Sequence, residues 1–374
     1  MTKIKTVDHL ASIKCYNGVK PLEVIAEELN IPVAKIIKLD GNENPYDPLP
    51  EVLAALSSLK NIGHYPDTLC SNLIQALAKK EKLDTNNFVI SSGSDELIEL
   101  LIKAYANLSD TVLSVSPTFG MISFLAQVNG IKHVAVSQQL VKDEPFARYV
   151  LDEDRFLDEA KRSKIVFIAR PNNPDGNVVS GNFIKRLASL PVLVVIDEAY
   201  IEFSAFQSLA KWVSQYENFV VLRTFSKAFG LGGLRVGYGI MSNDIRKVLV
   251  SIKQPYNVNV AGQKAAFAAL SSPLVDQRVT EMKKTREWFI SQLCLLQKQF
   301  KNFLIHPSEA CYVLLTFESP EIPKNLYEYL YSKGILVRYY SSSDMINNLR
   351  ISIGSQENMV KVIDELKLFL KGGN

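Results

Sequence analysis

The sequence predicts an α/β protein with a large domain, whose mostly parallel sheet is covered by helices, and a smaller α+β domain. Three observations favour this fold class. Short apolar, β-branched runs alternate with longer helical patterns through most of the chain, as in parallel sheets buried on both faces. After about residue 275 the pattern changes to long charged helical segments separated by strand-like runs. The 374 residues are enough for two domains of roughly 150 residues each.

Seven apolar runs are predicted to form the sheet of the large domain. They are Phe88–Ser91, Thr111–Ser116, His133–Ser137, Ile165–Ala169, Val192–Asp197, Phe219–Thr224 and Val236–Met241. A helix is predicted from about Asp95 to Leu108, since its apolar residues fall on one face, and Ser94 is its expected N-cap. The chain is thus expected to begin with an N-terminal arm and part of the small domain (1–44). The large domain (45–274) and the small C-terminal domain (275–374) follow.

The C-terminal segment is expected to contain three helices and three strands. The helices are Val279–Phe300, Lys324–Lys333 and Gln356–Leu370, and the strand-like runs are YVLLTF, ILVRYY and LRISI.

Charge and composition argue against several classes of protein. With 42 Lys and Arg against 39 Asp and Glu, the net charge of +3 predicts neither a nucleic-acid partner nor a membrane surface. The four cysteines and four histidines are scattered, so neither a disulfide framework nor a metal site is expected. No apolar stretch is typical of a signal peptide or a membrane span. A cytoplasmic protein is therefore expected.

A glycine-rich loop after a strand contains a candidate nucleophile. The segment TFSKAFGLGGLRVGYG, Thr224–Gly239, does not match a dinucleotide fingerprint, because Arg235 stands where the third glycine would be. This argues against a nicotinamide-dependent dehydrogenase. Lys227, on a tight turn beside a strand end, is suited to a Schiff base with an aldehyde. The alternative is an ordinary surface lysine.

A carboxylate follows another strand directly. In VLVVIDEAYIEF, Asp197 stands at the carboxyl end of the strand, where open α/β sheets bind their ligands. An acidic residue facing a pyridinium nitrogen is typical of pyridoxal phosphate enzymes. Tyr200 can donate its hydroxyl to a phenolate oxygen of such a ring. A simple acidic cap on a loop is the alternative interpretation.

Further loops can bind the rest of such a cofactor. The segment SSGSDE can present Ser94 and Asp95 at a helix N-terminus as an anion site, to which Ser226 and Arg235 can contribute, although SSGSDE alone is also a common helix cap. Other candidates follow strand-like runs or lie within one: Asn173 in RPNNPDGN for a ring oxygen, Phe119 in SPTFG for stacking, and Arg350 in LRISIG for a carboxylate. Together these segments supply the groups that a pyridoxal phosphate ring requires.

The order and spacing of these motifs resemble those of the histidinol-phosphate aminotransferases, within the fold-type-I class of pyridoxal phosphate transferases. The likeness extends from about Tyr16 to the C-terminus and rests on SKAFGLGGLR, DEAYIEF, PNNPDG, SGSDELIELLI, NENPYDP and LRISIG. It implies that Lys227 binds the cofactor covalently. The residues implied to contact the ring are Asp197 at the nitrogen, Tyr200 and Asn173 at the phenolate oxygen, and Phe119 in the stacking position. Those implied to hold the phosphate are Ser94, Asp95, Ser226 and Arg235.

The resemblance also implies a homodimer with shared active sites and a defined substrate end. Tyr65, in HYPD, resembles the tyrosine that reaches the cofactor phosphate of the neighbouring subunit. The residues implied to bind substrate are Tyr16, Asn44, Arg338 and Arg350. One departure from the family is visible: Asp175 in NPDG stands where relatives usually have Thr, with little expected effect on the chemistry.

The implied reaction is ping-pong transamination in histidine biosynthesis, in which histidinol phosphate is the amino donor and 2-oxoglutarate the 2-oxo acid. The products are imidazole acetol phosphate and glutamate. The nearest alternatives are an aromatic amino-acid aminotransferase and a threonine-phosphate decarboxylase of the same superfamily, which use the same ring contacts. A binding or regulatory protein built on this fold is disfavoured by the presence of the lysine.

Overall fold

The computed structural model describes residues 4–11, 13, 18 and 20–372. Within them the strands, β1 to β15, are Ile37–Lys38, Phe88–Ser91, Thr111–Ser116, Lys132–Ser137, Gln139–Asp143, Phe146–Val150, Ile165–Ala169, Leu193–Asp197, Phe219–Thr224, Gly237–Met241, Phe303–Ile305, Tyr312–Phe317, Ile335–Leu336, Arg338–Tyr339 and Asn348–Ser352. The α-helices, α1 to α12, are Leu22–Leu29, Pro50–Ser57, Ser71–Glu81, Ser94–Tyr105, Met121–Val128, Glu153–Ala160, Gly181–Ala188, Asn243–Ile252, Val260–Leu270, Leu274–Phe300, Glu321–Ser332 and Gln356–Lys371.

A seven-stranded sheet in the order β2-β10-β9-β8-β7-β3-β4 forms the centre of the protein. All its neighbours pair in parallel except β10, which is antiparallel to both β2 and β9. Its strands are the seven predicted ones, with starts that differ by at most one residue, and the α/β fold class is confirmed. Apolar clusters cover both faces of this sheet. The carboxyl ends of β2, β3, β7, β8 and β9 therefore meet at one edge.

A second sheet, in the order β14-β15-β12-β11-β6-β5, corrects the simple division of the chain at residue 275. The hairpin of β5 and β6 lies inside the range predicted for the large domain, yet it joins the C-terminal strands. Phe146 pairs in parallel with Ile305 and packs on the apolar cluster of that sheet. Tyr149 packs with Leu314 and Met345. The C-terminal apolar residues thus cover the hairpin, and the rest of the division stays a prediction.

The N-terminal part of the described chain is attached to this second unit. Strand β1 pairs in parallel with β13, through Ile37 opposite Ile335. Leu39 is buried in the same apolar cluster as β12 and β15. These contacts place residues 37–39 beside the C-terminal strands, on the path from α1 to the large sheet.

Three helices begin at other residues than predicted, and one of them is α11, which begins at Glu321 and not at Lys324. Helix α4 begins at Ser94, so the N-cap is Gly93 and the prediction of Ser94 as N-cap is wrong. Gly93 has φ +77°, and a Cβ there would lie 2.4 Å from Nη2 of Arg235, which explains the glycine. Helix α10 begins at Leu274, before the predicted Val279, and its many charged residues leave it unsuited to a bilayer. In the described part of the chain no helix is long and apolar enough to cross a membrane.

Candidate active site

The loops that follow the parallel strands converge on a cavity of about 230 Å³. Nine of the ten residues predicted to bind the cofactor, all except Tyr65, line it: Ser94, Asp95, Phe119, Asn173, Asp197, Tyr200, Ser226, Lys227 and Arg235. An adjoining cavity of about 610 Å³ shares Lys227 with the first and is also lined by Arg338 and Arg350. The structure thus brings residues that lie far apart in sequence into one connected site.

Lys227 lies on the turn after β9, with its amine at the junction of the two cavities. Its Nζ donates a hydrogen bond to the carbonyl oxygen of Gly41 at 3.1 Å and lies 5.8 Å from the ring centroid of Tyr200. Burial lowers the pKa of the Lys227 amine. A lowered pKa favours the neutral, nucleophilic amine that condenses with an aldehyde.

Asn44 contacts the lysine turn and lines neither cavity, and its predicted contact with the substrate stays a prediction. Its Nδ2 donates to the carbonyl oxygens of Lys227 at 3.3 Å and Ala228 at 3.1 Å. Its Oδ1 accepts a hydrogen bond from the backbone N–H of Tyr46. The amide is therefore occupied in orienting the turn that carries the lysine.

Asn42, two residues earlier, is a site residue that the sequence reasoning missed. It is buried, and its Nδ2 donates to the hydroxyl oxygen of Tyr200 at 3.1 Å while its Oδ1 accepts from Oγ of Ser352 at 2.9 Å. The contact leaves the Tyr200 hydroxyl proton free to be donated into the cavity. The signal available in the sequence was the segment GNENP. In the structure Asn42 of this segment adopts φ +52°, a left-handed conformation that Asn tolerates.

Asp197 is buried at the end of β8 with its carboxyl group facing the smaller cavity. In the described part of the chain the carboxyl group accepts one hydrogen bond, from the backbone N–H of Ala199 at 3.0 Å. Burial raises the pKa of Asp197 to about 7. A cation placed against this carboxyl group would favour its ionised form, as a protonated pyridine nitrogen does.

Glu198, the next residue, forms a buried ion cluster behind the site. Its carboxylate pairs with Arg223 at 3.2 Å and accepts hydrogen bonds from Ser208 Oγ at 2.6 Å and the backbone N–H of Leu209 at 2.7 Å. Arg223 also pairs with Glu202 at 2.8 Å. Since Arg223 lies on β9 and Glu198 follows β8, this cluster ties together the ends of the strands that carry Lys227 and Asp197.

Replacing Arg223 with Met should lower the free energy of unfolding by about 3–5 kcal/mol, because the carboxylate of Glu198 stays buried without its cation. Urea unfolding followed by tryptophan fluorescence measures the change. Adding Glu198→Gln should recover part of the loss. The exposed Arg186→Met is the control, since surface ion pairs contribute about 0–1 kcal/mol. A loss for Arg223→Met as small as that of the control would contradict the expected role.

A cradle for a phosphate lies at the N-terminus of α4. Ser94 and Asp95 begin this twelve-residue helix, whose first N–H groups have no partners within the helix. The guanidinium of Arg235 lies 3.6 Å from the Asp95 carboxylate. Oγ of Ser226 accepts a hydrogen bond from Thr224 at 3.0 Å. Hydroxyl, guanidinium and backbone donors therefore surround this end of the cavity.

Glycine keeps the cradle open. A Cβ at Gly237 would lie 2.5 Å from the backbone nitrogen of Ser94, and one at Gly93 would meet Arg235, so neither position accepts a side chain. The hydrogen-bond donors at the N-terminus of α4 suit a dianion. The carboxyl group of Asp197, which has no cationic partner among the described residues, suits a cation. The residues present thus fit pyridoxal phosphate, with Lys227 within the same cavity.

The larger cavity contains two arginines that stand opposite each other on β14 and β15, Arg338 and Arg350. Arg350 is buried and donates to Oδ1 of Asn173 at 2.6 Å and to the carbonyl oxygen of Asp40 at 2.7 Å. Its guanidinium lies 5.2 Å from the ring centroid of Tyr312. Among the residues that the structure describes, none accepts a hydrogen bond from its Nε. This pair can bind an anionic group.

Tyr65, predicted to reach the cofactor of a second subunit, lines neither of the two cavities. Tyr65 is 82% exposed, and its ring stacks on that of Tyr256 at a centroid distance of 4.4 Å. Its predicted contact with the cofactor of a second subunit stays a prediction. Tyr16 lies outside the described residues. In those residues, no group of three or more His, Cys, Asp and Glu side chains is arranged to hold a metal ion.

Similarity to known proteins extends over nearly the whole chain. The family described as aminotransferase class I and II matches residues 34–366. The histidinol-phosphate aminotransferase 1, chloroplastic, of Arabidopsis thaliana is 38% identical over 364 residues, which cover 96% of this chain and 85% of that protein. The histidinol-phosphate aminotransferase of Roseiflexus castenholzii is 36% identical and covers 96% of each chain.

A solved structure shows the same fold. The histidinol-phosphate aminotransferase from Sinorhizobium meliloti, in complex with pyridoxal-5'-phosphate, superposes with a TM-score of 0.86 at 21% identity, covering 100% of this chain and 99% of that one. At this level of identity the superposition supports the architecture alone.

Proposed function

This chain belongs to the class I and II aminotransferases, and on that premise we propose that it transfers the amino group of histidinol phosphate to 2-oxoglutarate in a ping-pong reaction that uses pyridoxal phosphate. The products are imidazole acetol phosphate and glutamate, a step of histidine biosynthesis. The observation that carries the proposal is one cavity lined by both the Lys227 amine and the buried carboxyl of Asp197. The names of the similar proteins support the choice of substrate.

The residues that line the two cavities have different proposed roles in the reaction. Pyridoxal phosphate, when bound, supplies an electron sink for the α-carbon of the amino substrate. Lys227, whose pKa burial lowers, provides a neutral amine that can bind the carbonyl group and, once displaced, accept the proton of that α-carbon. Asp197 holds the proton on the pyridine nitrogen. Tyr200, oriented by Asn42, donates its hydroxyl to the ring oxygen.

Arg338 and Arg350 are proposed to bind the anionic groups of both substrates in turn. Histidinol phosphate has a tetrahedral phosphate, and 2-oxoglutarate has two planar carboxylates. The fork of a guanidinium can bind either kind of oxyanion through two hydrogen bonds. The larger cavity contains both arginines next to Lys227, and Nε of Arg350 is a buried donor without a described partner. One pair of cations thus suits two chemically different substrates.

Replacing Arg350 with Lys should raise the KM for histidinol phosphate and for 2-oxoglutarate by about 10–100-fold, because charge-assisted hydrogen bonds contribute roughly 1.5–3 kcal/mol each and Lys lacks the fork. The rate at saturation should change less. Steady-state kinetics with each substrate varied in turn measures this. The control is Arg186→Lys, a conservative change at an exposed arginine. Unchanged KM values for both substrates would remove Arg350 from the substrate site.

We also propose that two copies of the chain pair through an exposed apolar face. Leu53, on α2, and Phe267, on α9, lie on helices that pack together, and the exposed Ile62, Tyr65 and Tyr256 belong to the adjoining loops. Single exposed apolar residues are ordinary, but several large ones on two packed helices and their adjoining loops favour a contact surface. A second copy is the occupant that the predicted role of Tyr65 requires.

Mixing two inactive variants tests this dimer. Lys227→Ala damages a subunit's own site, whereas Tyr65→Ala should damage the site of its partner. Refolding or co-expressing the two together should restore activity, because one site of each mixed dimer keeps both residues. Activity of the Tyr65→Ala variant equal to that of the unmodified enzyme, or no recovery in the mixture, would contradict shared sites.

The substrate assignment is tested by half-reactions on the purified yellow enzyme. Histidinol phosphate, phenylalanine and threonine phosphate are added separately, without a 2-oxo acid, and loss of the visible absorbance is followed by stopped flow. Histidinol phosphate should bleach the enzyme fastest. Faster bleaching by phenylalanine would indicate an aromatic aminotransferase, and release of carbon dioxide from threonine phosphate would indicate a decarboxylase.

A cytoplasmic location stays a prediction of the sequence. The Arabidopsis relative is named chloroplastic, so similarity gives no single compartment. Fractionation of the source cells, followed by an assay of the activity in each fraction, measures where the protein lies.

A further inference from the structure

The loop that carries Asn173 also contains a buried acid with an unsatisfied oxygen, Asp175. This residue is 1% exposed, and its Oδ1 accepts a hydrogen bond from Nδ2 of Asn172 at 2.7 Å. Within the described residues its Oδ2 is buried without any hydrogen-bond partner. Buried polar atoms without partners are uncommon and costly, so this oxygen requires an explanation.

Asn172, the partner of Asp175, links two loops of the active site. Its Nδ2 also donates to the carbonyl oxygen of Pro117 at 3.1 Å, and its Oδ1 accepts from Oγ1 of Thr118 at 2.7 Å. These two residues immediately precede Phe119, in the stacking position of the smaller cavity. Asn172 therefore connects the loop of Phe119 to its own loop, and Asp175 occupies one of the two N–H groups of its amide.

The same link extends to the substrate end. Asn173 follows Asn172 directly and accepts a hydrogen bond from Arg350. The backbone carbonyl of Asn172 accepts a hydrogen bond of 2.6 Å from the hydroxyl of Tyr312, whose ring lies against Arg350. A shift of Asn172 would thus reach Phe119, Asn173 and Arg350 together.

We propose that Asp175 is a positioning residue of the reaction, that its neutral carboxyl group acts through Asn172, and that an ionised carboxylate, which has no cation beside it among the described residues, shifts toward water and so disrupts the link between the two loops. Activity should then fall on the alkaline side of neutrality. The proposal rests on the proposed aminotransferase function, since it concerns the geometry of that site.

Among the residues that the structure describes, none places a positive charge against the Asp175 carboxyl group. The titratable groups that it influences are the phenols of Tyr149, on β6, and Tyr312, on β12, and burial raises the pKa of both, which keeps them neutral. His306, stacked on Tyr149, is neutral as well, because burial lowers its pKa to about 3. Arg350, a cation of the site, lies 5.2 Å from the centroid of the Tyr312 ring, and in the described part of the chain it forms no hydrogen bond or ion pair with Asp175.

Burial raises the pKa of Asp175 from its ordinary 3.8 to about 7. This raised pKa makes the free energy of unfolding depend on pH. Between pH 4 and 7 the unfolded chain loses the proton while the folded chain keeps it, so rising pH in this range destabilises the fold. Above pH 7 both states have lost the proton and this contribution becomes constant.

Asp175→Asn tests the proposal, since the amide has nearly the same shape and stays neutral at every pH. We measure kcat/KM and the Tm of the holoenzyme between pH 5 and pH 8.5, with whichever amino donor the enzyme accepts. The ratio of kcat/KM in the variant to that in the unmodified enzyme should rise by up to about tenfold from pH 6 to pH 8, as expected for loss of one proton with a pKa near 7. The Tm difference should grow in favour of the variant over pH 5 to 7.

The control is Asp158→Asn at an exposed, ion-paired position, which should change neither profile. A constant ratio of kcat/KM across this range would overturn the proposal whatever the Tm does. A uniform loss of activity at every pH would overturn it as well, since that is the result of a merely structural role. Because the Tm profile requires no substrate, a wrong substrate assignment leaves this half of the test intact.

Discussion

Replacing Lys227 with Ala should abolish amino transfer and remove the visible absorbance of the holoenzyme. The amine is the group proposed to bind the cofactor carbonyl and to accept the α-proton, so both the covalent link and the base are lost together. General bases contribute typically 10²–10⁴-fold, and the rate should fall by at least about 10⁴-fold because two functions are removed. Stopped-flow half-reactions and an absorption spectrum of the purified variant measure the two losses.

The matched control is Lys247→Ala, at an exposed lysine that pairs with Asp244 on the surface of α8. This variant should keep the colour and the rate of the unmodified enzyme. A coloured Lys227→Ala protein that still turns over would show that another amine binds the cofactor.

Replacing Asp197 with Asn should lower kcat by about 10²–10⁴-fold, which corresponds to losing the roughly 3–5 kcal/mol that a buried charge partner provides. The amide has nearly the same shape as the carboxyl group but cannot hold a proton on the pyridine nitrogen. The pH dependence of the bound cofactor's spectrum should shift as well. Steady-state kinetics and a spectral titration of the variant measure these changes.

The stability of the apoprotein should change in the opposite direction. Because burial raises the pKa of Asp197 to about 7, an ionised carboxylate destabilises the cofactor-free fold at and above neutral pH. Asp197→Asn should therefore raise the Tm of the apoprotein at pH 8 while it lowers the activity of the holoenzyme. A variant that loses Tm and keeps its activity would indicate a purely structural role for Asp197.

The sequence predicted the central sheet because all its strands except the edge strand β4 are buried along most of their length. Such strands are continuous apolar runs, and runs such as Val192–Asp197 end where the polar loops begin. The cofactor residues were found for the same reason, since most of them follow directly on a strand end. Parallel strands bring those ends to one edge, which is where the nine predicted residues line a single cavity.

Other features depend on contacts that a linear pattern does not contain. The hairpin at 139–150 pairs with strands more than 150 residues away, and its exposed, charged residues gave no continuous apolar run. Asn42 and Asn44 are neighbours in one motif, yet one binds Tyr200 and the other the lysine turn. The left-handed backbone conformation of Asn42, with φ +52°, is not contained in the linear pattern.

The direct test of the central claim is to find which residue carries the cofactor. Reducing the yellow holoenzyme with borohydride should fix the cofactor irreversibly to its amine, and mass spectrometry of the proteolysed protein then locates the added mass. We expect it on the peptide that contains Lys227, and we expect Asp197→Asn to leave this position unchanged. Modification of a different lysine, or reduction without any labelled peptide, would contradict the account.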